Sequence, residues 1–169
     1  MGIFSRKRPA QQNAEGSAAE SRFGLYVTTD DGRPASLMVD LSVAERAPIR
    51  ELPFFLAVHL PYDVETDNAF PTPAQFDELT EHGRIALDVA SATLTHHFVG
   101  NVTSNGKRTL CFYVPSPDSI PPFVDALATQ VGPEAAARFG YAVYEDAGWR
   151  TYLDDLHPDD EQMKDVRRT

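Results

Sequence analysis

Phe54-Phe55-Leu56-Ala57-Val58-His59-Leu60 is almost unbroken in apolar character and is bracketed by Pro53 and Pro61. A strand with one wet face alternates apolar and polar residues. A strand covered on both faces does not, so this run predicts a central strand of a sheet. After a loop over 61–71 comes Thr72-Pro73-Ala74-Gln75. Thr72 can cap a helix, Pro73 takes the first helical position where no amide is needed, and Gln75 can complete a capping box. From there Phe76, Leu79, Gly83, Ala86, Leu87, Ala90 and Leu94 recur at spacings of three and four. That spacing predicts a helix of about six turns whose apolar stripe lies on a sheet.

On the far side of the helix, His97 to Thr103 and Thr109 to Val114 are β-rich runs joined through Asn105-Gly106. Asn-Gly is the strongest short hairpin signal, because both residues accept positive φ. Prolines at 115, 117, 121 and 122 close that hairpin and open a second helix, with Asp118 or Ser119 as cap and Phe123, Leu127 and Val131 inward. Gly132-Pro133 breaks it, and Phe139 to Tyr144 is a last strand. From residue 54 the order is strand, helix, strand, hairpin, strand, helix, strand. This predicts an α+β ferredoxin-like sandwich, the split βαβ duplication, with a mostly antiparallel sheet. Upstream, Phe23 to Thr29 and Ala35 to Leu41 flank Asp31-Gly32, an added N-terminal hairpin that widens the sheet to about six strands. Downstream, Trp149, Tyr152, Leu153 and Leu156 fit a short amphipathic C-terminal helix stopped by Pro158. The expected division is a flexible tail over 1–21, a single domain over 22–158, and a charged, partly helical tail over 159–169.

The chain has 169 residues, 42% of them hydrophobic and 24% charged, enough for one self-sufficient core. The lone Cys111 excludes an internal disulfide and any cysteine-cluster metal site. No apolar run approaches the ~20 residues of a membrane span. No apolar segment follows the basic cluster Arg6-Lys7-Arg8, so no export signal is read and a cytoplasmic location is expected. The formal net charge is −10; residues 1–22 hold four basic against two acidic residues, which leaves −12 for the rest. Such a body repels phosphate backbones, so direct nucleic-acid binding is not expected, whereas a basic protein partner suits it.

Three stretches carry a resemblance. They are Asp31-Gly32-Arg33-Pro34-Ala35-Ser36-Leu37-Met38-Val39-Asp40-Leu41; Val99-Gly100-Asn101-Val102-Thr103-Ser104-Asn105-Gly106-Lys107-Arg108 running on to Tyr113; and Trp149-Arg150-Thr151-Tyr152 with Leu156 and Pro158. Together they resemble the bacterial domain-of-unknown-function family 695. The resemblance brings no activity. Some members carry a further segment similar to a ribonuclease E inhibitor, regulator of RNase activity B, which implies regulation by protein contact.

No phosphate loop, nucleophile elbow or metalloprotease motif is present, and no cofactor is expected. His96 and His97 are adjacent on a strand and so point to opposite faces, against a shared metal. His59 and Cys111 sit in apolar runs and are expected to be a sheet-face imidazole and a buried, inert thiol. Glu65 with Asp67, and Asp159-Asp160-Glu161, are expected to be solvated loop charge and not a cation site. Asp40 is the oddest carboxylate: solvent exposure is expected, with Arg108 as partner if it is buried. Asp40, Arg108, Tyr113, Trp149 and Tyr152 are the candidate interaction or structural anchors. Packing on the fold's own sheet is favoured for Trp149 and Tyr152 over an interface role. The expectation is a non-catalytic, regulatory module that binds another protein, with a basic segment as the specific partner. The rivals are a small hydrolase with a polar site near 61–71 and the Asp40/Arg108 region, and a ribonuclease regulator.

Overall fold

The computed structural model describes residues 22–169, so the tail expected over 1–21 lies outside the described residues. Strands β1 (Phe23–Asp30) and β2 (Arg33–Asp40) form the first hairpin, followed by a connection that opens with the 3₁₀ turn Leu41–Val43. Then come β3 (Phe54–Pro61), helix α1 (Pro73–Thr93), β4 (His97–Ser104), β5 (Lys107–Val114), α2 (Ile120–Val131) and the short α3 (Pro133–Arg138). Strand β6 (Gly140–Glu145) and the two-residue β7 (Arg167–Arg168) complete the chain. One sheet of seven strands results, in the order β6-β3-β5-β4-β2-β1-β7, and every pairing in it is antiparallel.

Both hairpins turn where expected. Asp31 and Gly32 have φ of 48° and 78°, and Asn105 and Gly106 have 44° and 85°, the paired positive φ of a type I′ turn. At α1 the capping box is complete: the Thr72 amide donates to Gln75 Oε1 at 2.9 Å and the Gln75 amide to Thr72 Oγ1 at 3.4 Å. β3 is central and covered on both sides, which accounts for its unbroken apolar run.

Alternate residues serve two cores. Leu56, Val58 and Leu60 of β3 with Leu110 and Phe112 of β5 face α1 and α2. Phe55, Ala57, Cys111 and Tyr113 face the other way, onto Val43 and Leu52 of the 41–53 connection and onto Trp149, Tyr152 and Leu156. The second face is therefore covered by irregular chain, not open as a helix-only reading of the layers supposes.

The seventh strand is unforeseen: the supposed tail continues through a 3₁₀ turn at Gln162–Asp165 and adds Arg167 and Arg168 to the edge of β1. Residues 133–138 form the helix α3, where Gly132-Pro133 predicts only a break. The segment Thr151–Leu156 is a π-helical turn and not an α-helix, with the His157 amide reaching back to the Tyr152 carbonyl. The wider turn lets Tyr152 and Leu156 both point inward while Asp146 holds the preceding amides. Phe76, expected on the buried stripe of α1, is 51% exposed.

Candidate functional site

Tyr113, Trp149 and Tyr152 form one buried cluster on the second face. The Trp149 ring stacks on Tyr113 with centroids 3.8 Å apart and planes 8° from parallel, and its Nε1 donates to the Leu52 carbonyl at 2.9 Å. Tyr113 donates its hydroxyl to Asp146 Oδ2 at 2.7 Å, and the same carboxylate accepts from the amides of Arg150 and Thr151. Tyr152 donates to the Asp40 carbonyl at 2.6 Å. Trp149 and Tyr152 are fully buried, so neither presents itself as an exposed interface anchor.

Asp40 corrects its expectation twice. It is fully buried rather than solvent-facing, and Arg108 is not its partner. Its carboxylate accepts from the Ser42 amide and hydroxyl and is hydrogen-bonded to His97 Nε2 at 3.0 Å, with Arg22 at 3.5 Å. Burial pushes its pKa up, but the bonds from His97 and Ser42 outweigh this and hold it below the ordinary carboxylate value. Asp40 sits beside His97 at one end of β4, and Arg108 beside Thr103 near the other. Asp40 and Arg108 share no hydrogen bond or ion pair. These two residues of the hydrolase reading are therefore not paired with each other.

Other groups that could do chemistry are engaged in packing. Cys111 is buried, and burial pushes its thiol up to about 12. His59 lies in an open concavity of about 360 Å³ on the second face, its Nδ1 hydrogen-bonded to Thr109 Oγ1 at 2.9 Å across the β3–β5 ladder. Burial, then Lys107, lowers its pKa. His96 packs on Phe112 and His97 on Trp149, on opposite faces as adjacent strand residues must. Glu65 accepts from Gln75, and Asp159 caps the amides of Glu161 and Gln162. Among the described residues no group of three or more His, Cys, Asp or Glu is placed to hold a metal ion.

Arg108 stands apart. A helix needs 8–10 Å of width and a strand about 4.8 Å, so two helices cover about four strands. The sheet has seven, and at the step beyond α1 a groove of about 520 Å³ runs between α1 and the exposed flank of β4, β2 and β1. Arg108 lies at one end of it, 9% exposed. Its Nε donates to Thr103 Oγ1 at 2.9 Å and its Nη1 to Thr80 Oγ1 at 3.4 Å, and the guanidinium lies 4.9 Å from the centre of the Phe76 ring. Burial lowers its pKa, with only the Tyr62 phenol opposing. No carboxylate pairs with it among the described residues. Nothing in the sequence near Arg108 signals this, because its environment is assembled from Thr80 and Phe76 on a distant helix.

Geometry thus defines an α+β domain with an all-antiparallel sheet, a tyrosine–tryptophan clasp on one face and, on the other, a groove with a cation at one end. The chain matches the family of unknown function DUF695 over residues 22–157 and belongs to that family. No curated protein and no solved structure matches it. No helix among the described residues is long and apolar enough to cross a membrane.

Proposed function

We propose that this chain is a non-catalytic binding module of regulatory type, and that it takes an extended basic segment of another protein along β6. The observation that carries the reading is that β6 pairs only with β3, so one side of its backbone is unpaired among the described residues. Edge strands are normally blunted by proline, lysine or a bulge. β6 carries none of these, and it exposes Val143 and Tyr144 at 41% and 46%. A strand added there would gain main-chain hydrogen bonds and alternate side-chain contacts. Carboxylates border the edge: Glu145 ends the strand, and Asp146 and Asp155 lie near enough to Tyr144 to add to the rise in its pKa that burial begins. A basic segment complements that fringe and the acidic body.

The core of this module is read as a ferredoxin-like sandwich over 54–145. What supports this is the strand order β6-β3-β5-β4 with a helix after β3 and another after β5. A synthetic peptide alternating valine and lysine is the probe for the edge. It should bind in a salt-sensitive way, and Val143→Lys with Glu145→Lys should weaken it by about tenfold or more. Equal binding by the double variant, or no binding by the unaltered chain, would remove the edge reading.

A further inference from the structure

We propose that the groove beside α1 is a binding site for a small carboxylic acid with an unbranched apolar chain, its carboxylate held by Arg108. This site lies across the sheet from β6 and is independent of the edge reading. The argument begins with charge. A guanidinium taken out of water costs several kcal/mol unless something compensates it. Two threonine hydroxyls and one aromatic face engage Arg108, and Nη2, which makes no hydrogen bond among the described residues, is not a buried orphan but is reached by solvent, where a ligand oxygen can replace water. A carboxylate supplies the missing charge and fits the planar fork of donors.

The walls set the rest of the ligand. Phe76, Leu79, Gly83 and Leu87 line α1's side at helical spacing, and Met38 and Phe98 line the sheet's side. From Phe76 to Leu87 the helix rises about 16 Å, so the groove has room for an extended chain running away from Arg108. Its volume falls in the range of small-molecule sites. A single negative charge is the match. Arg84, which also lines the groove, is already paired with Glu81 and Asp88, so a phosphate dianion would leave uncompensated charge there on a protein of net charge −10.

Gly83 is the independent observation. A glycine inside a helix costs about 1 kcal/mol relative to alanine. Here the fold does not require it, because a Cβ at this position would meet only Leu110, at an ordinary 3.9 Å. What the missing side chain does provide is depth in the groove.

Dodecanoate titrated into the whole chain by calorimetry tests the assignment, with dodecan-1-ol as the uncharged control. Binding at one site per chain is expected, with the alcohol and Arg108→Gln each weaker by about tenfold or more. Gly83→Leu should abolish binding by filling the trough. Both variants should melt no earlier than the unaltered chain by more than a few degrees, since neither breaks an ion pair, glutamine is uncharged, and a Cβ at position 83 meets only Leu110 at 3.9 Å. Several weak sites, equal binding by Arg108→Gln, or tighter binding of a peptide with an apolar free C-terminus would overturn the proposal. So would no binding at all, or an Arg108→Gln chain that fails to fold while Gly83→Leu still binds dodecanoate.

Discussion

Asp146 is a small residue with an outsized task, because it fixes the turn that carries Trp149. Trp149 has φ of 54°, a left-handed conformation that a bulky residue rarely takes. Stacking on Tyr113 and the bond to Leu52 hold it there, and Asp146 organises the amides that follow. Burial pushes the Asp146 pKa up, yet the bonds from Tyr113, Thr151 and Arg150 bring it below the ordinary carboxylate value. A carboxyl with a depressed folded-state pKa stabilises above its unfolded pKa, and that contribution is lost as pH falls through the folded value. Asp146→Ala should therefore cost roughly 2 kcal/mol near pH 7, measured by urea unfolding. The cost should shrink as pH is lowered below about 4, toward conditions where the carboxyl is protonated in both states. An undiminished cost in acid would mean that packing, not the ionised cap, is what the turn needs.

Among the elements, α1 has the most explicit local instructions. Thr72 and Gln75 satisfy each other's amides, and Pro73 fills the position where its lack of a donor costs nothing. Thr72→Ala should lower stability by about 1 kcal/mol, seen as a shifted urea midpoint with an unchanged slope. A changed slope would indicate that the helix end frays and alters the folded state's compactness. Elements with such local chemistry are legible in sequence: the capping box, the Asp-Gly and Asn-Gly turns, and the doubly buried β3 run. Those set by distant contact are not. The 149–156 segment has α-helical spacing, but Asp146 and Tyr113 stretch it into a π turn. The β7 pair is too short for a pattern and forms because Val166 and Leu41 pack over Gly24, where a Cβ would lie 2.6 Å from Val166. Arg108 reads as an ordinary strand-start cation until Thr80 and Phe76 are brought over it.

At the scale of the whole molecule, three tyrosines tie the C-terminal segment to the sheet, and this makes the second layer depend on their remaining protonated. Tyr26 donates to the Leu156 carbonyl at 2.7 Å, Tyr152 to the Asp40 carbonyl, and Tyr113 to Asp146. Burial comes first among the causes that push all three phenols up, Tyr26 to about 12. A neutral acid whose folded-state pKa is raised contributes stability that is intact below its unfolded pKa, near 10, and is lost as pH climbs toward the folded value. Since one pKa unit corresponds to about 1.4 kcal/mol, the rise at Tyr26 amounts to roughly 3 kcal/mol lost by about pH 12. The melting temperature should accordingly fall steeply above about pH 10. Tyr26→Phe removes one of these groups and with it one hydrogen bond. Its melting temperature should start lower than that of the unaltered chain near pH 8 and then fall less with alkali, so that the two curves converge. Parallel curves would mean that Tyr26 does not titrate with unfolding, and that the C-terminal layer opens before the sheet does.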